Sequence, residues 1–324
     1  MATRGPVKSV QPRSVAGTLL WPEVPVLRFG HRFARRFAAR SLVCALAACA
    51  RDSRPASPLF TDDFGDTIVV GPRPVRIVSL NPATTELLFA IGAGGRVVGR
   101  TSYDIFPDSV RNVPDLGPGL RPNVEAVLAA HPDLVILYAS ADNRDAARRL
   151  RASGVPTVAY RVDRIADFAR VTYVLGGLTG DTLAARRTID SVQATLARVR
   201  MLTASLPKPT VFWPMWVSPL LSVGGGSFLN ELLVIAGATN VFAELPGPSP
   251  AITFEELLRR DPDVVLTGRQ TRVTVMADPK WGTLRAVRQG RVFVVDTTMV
   301  NGPSARIGTS AMSLARLLHP GATF

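Results

Sequence analysis

The feature that most constrains this chain is a fifteen-residue block that occurs twice. Asn123-Val-Glu-Ala-Val-Leu-Ala-Ala-His-Pro-Asp-Leu-Val-Ile-Leu137 returns 130 positions later as Thr253-Phe-Glu-Glu-Leu-Leu-Arg-Arg-Asp-Pro-Asp-Val-Val-Leu-Thr267. Each copy reads as a polar helix cap, a glutamate, a two-turn amphipathic helix, a Pro-Asp turn and a short apolar strand. A second block lies upstream of each copy. Glu86-Leu-Leu-Phe-Ala-Ile-Gly-Ala93 and Glu231-Leu-Leu-Val-Ile-Ala-Gly-Ala238 agree at five of eight positions, 145 residues apart. Two blocks repeated in the same order at this spacing predict two lobes of like build, since a solenoid repeats at about 20–50 residues.

Strand and helix signals alternate around both copies. Residues 76–80, 96–100, 134–138 and 155–160 read as strands, with helices over 84–91, 124–130 and 144–152. This alternation marks a parallel sheet covered by helices. The second lobe repeats it, with strands at 210–213 and 291–295 and helices over 227–235 and 309–318. Between them, residues 165–178 and then Asp181 to about Ser205 are helical. The second of these helices would span on the order of 35 Å at 1.5 Å per residue. The predicted fold is α/β, with two Rossmann-like lobes, each a mostly parallel sheet with flanking helices, joined by one long α-helix. The expected divisions are a leader at 1–49, a tether and first hairpin at 50–72, an N-terminal lobe at 73–160, a helical linker with the bridging helix at 161–208, and a C-terminal lobe at 209–324.

Composition narrows the function. The net charge of +13 suggests a nucleic-acid binder until it is located: residues 1–49 hold eight Arg/Lys against one acid, so +7 of it belongs to the leader. No later segment carries the dense basic run that a phosphate backbone requires. The only cysteines, Cys44 and Cys49, lie in the leader, so the body has no disulfide and no thiolate metal site. Residues 26–49 read as an export signal, a basic stretch followed by an apolar run too short to span a bilayer. That run ends Leu46-Ala-Ala-Cys49, which resembles the lipobox of bacterial lipoproteins; the resemblance implies cleavage before Cys49 and lipidation of its sulfur, the alternative being an ordinary small-residue cleavage site. The expected location is therefore exported and lipid-anchored, in the periplasm or on the outer face of the cell membrane.

The body resembles the class of extracytoplasmic ABC-importer binding proteins whose two α/β lobes are joined by one long helix, which includes cobalamin, iron-siderophore and haem binders. The stretches that carry the resemblance are Arg76-Ile-Val-Ser-Leu-Asn-Pro-Ala-Thr-Thr-Glu-Leu-Leu-Phe-Ala-Ile-Gly92, Val98-Gly-Arg-Thr-Ser-Tyr-Asp-Ile-Phe-Pro107, the first repeat copy, and Pro303-Ser-Ala-Arg306 leading into Leu314-Ala-Arg-Leu-Leu-His-Pro320. The Pro-x-x-Thr-Glu helix and the Tyr-Asp-x-x-Pro loop are most similar to the cobalamin branch. The loop Leu116-Gly-Pro-Gly-Leu120 departs from that branch in lacking a Trp. The resemblance implies no catalysis and no cofactor. Its expected partners are cobalamin or a related corrinoid (alternatively a ferric siderophore or haem), an ABC permease dimer with its ATPase, and a membrane reached through the lipid anchor. A monomer is expected.

The resemblance also implies roles for residues. Glu125 and Glu255, at the start of the repeated helix, would dock to the permease; each also suits a helix N-terminus, and Thr253 with Glu256 fits a capping box. Tyr103 and Tyr138 follow strands of the first lobe, and Trp213, Met215 and Trp216 follow a strand of the second, where open α/β sheets gather ligands. Core packing is the alternative for each of these. Asp296, Asn301 and Arg306 follow the last strand, where they could hydrogen-bond polar groups at the rim or serve simply as turn and surface residues. Gly224-Gly-Gly226 before a helix could cradle an anion or give a flexible helix entry. A two-lobed enzyme is the rival of another class, although the body has no Cys nucleophile and only two histidines, His131 and His319.

Overall fold

The structure, a computed structural model, describes residues 59–71 and 73–324, for residues 300 and 301 the backbone only. The leader, most of the tether, the lipidation expected at Cys49 and the side chain of Asn301 lie outside the described residues.

A short antiparallel hairpin, β1 (Leu59–Thr61) and β2 (Thr67–Val69), comes first. The first lobe follows as β3 (Ile77–Leu80), α1 (Pro82–Ala90), β4 (Val97–Gly99), α2 (Val124–Ala129), β5 (Leu134–Tyr138), α3 (Arg144–Ala152) and β6 (Thr157–Tyr160). Then come α4 (Ile165–Thr179) and α5 (Thr182–Thr203). The second lobe runs β7 (Thr210–Phe212), a hairpin of β8 (Pro214–Val217) and β9 (Leu220–Ser222), α6 (Phe228–Ile235), β10 (Thr239–Asn240), α7 (Phe254–Arg260), β11 (Val264–Thr267), α8 (Arg269–Ala277), α9 (Arg285–Arg288), β12 (Val292–Val294) and α10 (Ile307–Leu318).

Both main sheets are wholly parallel and share one order, β4-β3-β5-β6 in the first lobe and β10-β7-β11-β12 in the second. The repeated block occupies the same place in each, and its chemistry explains why. Asn123 and Thr253 cap α2 and α7, accepting from the backbone N–H of Ala126 at 3.0 Å and of Glu256 at 3.1 Å. The capping box is half formed, because the Glu256 carboxylate turns to Arg260 instead. His131 and Asp261, each just before a proline, take left-handed backbone angles that end the helix. The two aspartates of the Pro-Asp turns then fasten the first strand of their own sheet. Asp133 accepts from the N–H groups of Val75 and Arg76 at 2.8 and 3.0 Å, and Asp263 from that of Thr210 at 2.9 Å. That backbone donor holds the Asp263 carboxyl below the usual carboxylate range.

The bridge is a helical hairpin. Its α4 arm rests on α1, and its α5 arm packs against α6 and α10, so each arm serves one lobe. The arms meet closely where Gly176 faces Ala185; a Cβ on Gly176 would stand 2.5 Å from that methyl group. The 22 residues of α5 reach about 33 Å. The bend between the arms, Gly180-Asp181, is fastened to the first lobe by Arg96, which donates to Thr179 O at 2.8 Å and pairs with Asp181. One apolar cluster is continuous through the junction, taking in Leu87, Leu88 and Phe168 with Leu196, Leu232 and Leu314. The far face of each sheet has its own smaller cluster, around Leu137 and Leu150 in the first lobe and Phe212 and Trp281 in the second.

Candidate functional site

In the first sheet the chain leaves β3 toward β4 on one side and comes back to β5 on the other. Connections that diverge in this way open a crevice at the carboxyl ends of the two strands. Leu80 ends β3 and Asn81 and Pro82 follow it into that crevice, Tyr138 ends β5, and Val162 and Asp163 follow β6. Facing them from the second lobe are Met215 of β8, Gly226 to Leu229 at the start of α6, and Pro248 with Ser249. Together they enclose a cleft of about 530 Å³, within the range of small-molecule sites.

Its lining is largely apolar, and its polar groups are neutral apart from Asp163. Asn81 and Ser227 are the N-caps of α1 and α6, so two helix N-termini face the cleft from opposite lobes. The side-chain oxygen of Asn81 accepts from Ala83 N–H at 3.1 Å, while its buried Nδ2 has no hydrogen-bond partner. The Tyr138 hydroxyl donates to Asp163 Oδ1 at 2.9 Å. Burial, then that carboxylate, push the phenol up to about 12. Tyr138 is therefore a neutral phenol across the physiological range.

The floor on the second-lobe side is backbone. The N–H groups of Gly224, Gly225 and Gly226 donate to the carbonyls of Pro248, Leu245 and Gly247 at 3.1, 2.9 and 3.0 Å. No donors remain to cradle an anion. The triplet is also no flexible entry to α6: a Cβ on Gly225 would lie 2.1 Å from Ala243 O. Close backbone packing against the 243–250 loop is what these glycines provide.

The expected site residues divide. Tyr103 and Tyr138 line the cleft, Tyr103 largely exposed. Trp213 does not: it is 2% exposed and packed in the core, so its indole offers no face to a ligand. The strand ends one residue before Trp213 and restarts at Pro214, which turns Trp213 inward and leaves Trp216 61% exposed on the hairpin. Trp216 donates from Nε1 to Ser218 O at 2.7 Å and is not among the lining residues. Asp296 caps the turn after β12, accepting from Thr298 N–H at 2.9 Å. The guanidinium of Arg306 points away from the cleft to Glu86, donating from Nε and Nη2 at 2.9 Å each. Glu125 and Glu255 are both exposed in the first turns of α2 and α7. Glu125 accepts from Arg149 Nη2 at 2.7 Å.

Sequence reasoning missed Asn81 and Asp163 as cleft residues. The Asn81-Pro82 turn was the available signal for the first; for Asp163, nothing but its position after β6 pointed there.

A family model described as periplasmic binding protein matches residues 77–298. The chain belongs to the periplasmic binding protein family. Among curated relatives, the ABC transporter substrate-binding lipoprotein YvrC of Bacillus subtilis is 26% identical over 281 residues, covering 84% of this chain and 88% of its own. The vitamin B12-binding protein of Vibrio parahaemolyticus is 23% identical over 250 residues, covering 76% and 91%. The haem-binding protein RhuT of Roseiflexus sp. RS-1, a solved structure, superposes with a TM-score of 0.71 at 24% identity, covering 78% of this chain and all of that one. Periplasmic binding proteins of this kind are extracytoplasmic, typically lipid-anchored, solute-binding components of ABC transporters, and non-catalytic. Within the class, relatives are named for binding vitamin B12 or haem, and one is described as a possible iron-binding protein.

Proposed function

We propose that the cleft captures cobalamin or a related corrinoid, and that the loaded protein docks to an ABC permease dimer through Glu125 and Glu255. The observation that carries the ligand reading is the charge of the lining. Among the described residues it includes no Arg, Lys or His, and its one charged side chain is an acid. Haem brings two propionates and many ferric siderophores bring net negative charge, and charged groups taken out of water need partners of opposite sign. The amide-bearing rim of a corrinoid needs neutral donors and apolar area. The two helix N-termini that face the cleft suit its carbonyl oxygens. Tyr138, held as a phenol by Asp163, is ill suited to bind iron as a tyrosinate. Several relatives named for vitamin B12 support the same reading.

The docking reading rests on equivalence. Both glutamates are exposed, both open the repeated helix, and two like carboxylates on pseudo-equivalent lobes suit a two-fold partner. Titration of the protein with cyanocobalamin, haemin and a ferric siderophore, followed by tryptophan fluorescence and equilibrium dialysis, tests the ligand. Tight binding of haemin or the siderophore with none of cyanocobalamin refutes the corrinoid. Glu125→Lys and Glu255→Lys, assayed by stimulation of a reconstituted transporter's ATPase, test the docking; unchanged stimulation in both refutes it.

A further inference from the structure

Glu86 and Glu231 hold the same position in the two matched Glu-Leu-Leu blocks, one on α1 and the other on α6. Both carboxylates leave their own lobe. Glu86 accepts from Arg306 through two bonds of 2.9 Å and from Ser304 Oγ at 2.5 Å. Glu231 accepts from Arg164 Nε at 2.5 Å and from the backbone N–H of Ile165 at 2.7 Å. The arginines are matched as well. Each stands at the N-cap of the helix that follows the last strand of a sheet, Arg164 between β6 and α4, Arg306 between β12 and α10. The first lobe thus grips the exit of the second, and the second grips the exit of the first.

We propose that these reciprocal ion pairs are two latches that fix the gap between the lobes, which makes Glu86, Arg306, Glu231 and Arg164 positioning residues for ligand capture. The consequence for the ligand rests on the reading of the cleft given above. The latches differ in burial. Glu86 and Arg306 are 9% and 21% exposed, against 24% and 46% for Glu231 and Arg164. The first is a two-pronged, nearly dry pair and the second an outer one that salt screens. The Arg306 guanidinium also lies 4.1 Å over the ring of Phe106 and donates to Thr298 Oγ1 at 2.7 Å. Phe106 shares a loop with Tyr103, so the inner latch braces the cleft wall that carries that tyrosine.

The test measures the lobe separation directly. Spin labels at introduced cysteines replacing Arg148 and Arg259, exposed on α3 and α7, report the interlobe distance in the full chain with Cys44 and Cys49 changed to serine. Without any ligand, Glu86→Gln and Glu231→Gln are each expected to lengthen and broaden the distance distribution. Molar salt should move the wild type to the Glu231→Gln distribution and leave Glu231→Gln where it is. Cyanocobalamin should leave Glu86→Gln about tenfold faster or more, and Glu231→Gln only about threefold faster. Arg306→Lys, which keeps the charge but loses the fork, should fall between Glu86→Gln and wild type. An unchanged distribution in folded Glu86→Gln and Glu231→Gln overturns the proposal. If Glu86→Gln does not fold, Glu231→Gln decides alone. A changed distribution in a protein that binds no cyanocobalamin upholds the latches and sinks only the corrinoid.

Discussion

The Tyr138 hydroxyl and the Asp163 carboxylate are joined at 2.9 Å on the wall of the cleft, where the carboxyl ends of two neighbouring strands bring them together. The phenol is raised first by burial and then by the acid beside it. Replacing Asp163 with Asn should bring the Tyr138 midpoint down from about 12 toward 10 without reaching it, because burial remains. Spectrophotometric titration of the phenolate, with Tyr138→Phe as the difference standard, reads this. In the wild type, a phenol raised in the folded state stabilises fully below about pH 10 and loses that contribution as pH rises toward about 12.

Asp104 is 3% exposed, and its Oδ1 has no hydrogen-bond partner. Its other oxygen accepts from Thr101 N–H at 2.6 Å and Thr101 Oγ1 at 2.7 Å. Burial outweighs those donors and raises its pKa. A carboxyl raised in the folded state adds stability while protonated and loses it as pH climbs through the folded value. Asp104→Asn keeps an acceptor for Thr101 and removes the buried charge. Thermal melts should show the variant more stable than wild type at pH 7, with the gain gone below the ordinary carboxylate pKa.

Gly225→Ala should cost about 2–3 kcal/mol of unfolding free energy, since its new methyl would meet Ala243 O at 2.1 Å. Chemical denaturation measures the loss. Ligand binding by the surviving folded fraction should weaken too, because Pro248 and Ser249 in the displaced loop line the cleft.

Trp213 and Trp216 should separate cleanly on substitution by alanine. The buried Trp213 should cost roughly 3–5 kcal/mol, and the exposed Trp216 no more than about 0.5 kcal/mol. Denaturant midpoints read both. The Trp216→Ala protein should also show less red-shifted tryptophan emission, since Trp216 is the most exposed tryptophan among the described residues.

The two lobes were legible because the repeated block encodes a complete local unit. Asn123 and Thr253 cap, His131-Pro132 and Asp261-Pro262 stop, and Asp133 and Asp263 fasten the next strand, all within about ten residues. The β8–β9 hairpin was not legible: Pro214-Met-Trp-Val217 lacks alternation, and Ser218-Pro219 is no common two-residue hairpin turn. Helix α8 over Arg269–Ala277 was also missed, its polar stretch offering little apolar period. Trp213 and Trp216 could not be told apart because the break between β7 and β8 resets which side chains face inward. The partners of Glu86 and Glu231 were hidden by distance along the chain, 220 residues for Glu86 to Arg306, although the matched blocks already singled out both glutamates.

Arg96 rivets the bend between the two arms of the bridge to the first lobe, through Thr179 O and Asp181. An elbow left loose there would let one half of the molecule swing wide and fold down over its guest. With the elbow riveted, the halves can rock only as stiff plates, so little of the grip can come from wrapping. A solute would then meet a hollow that already exists, and its entry and exit would follow from rocking of the two plates rather than from the lifting of a flap.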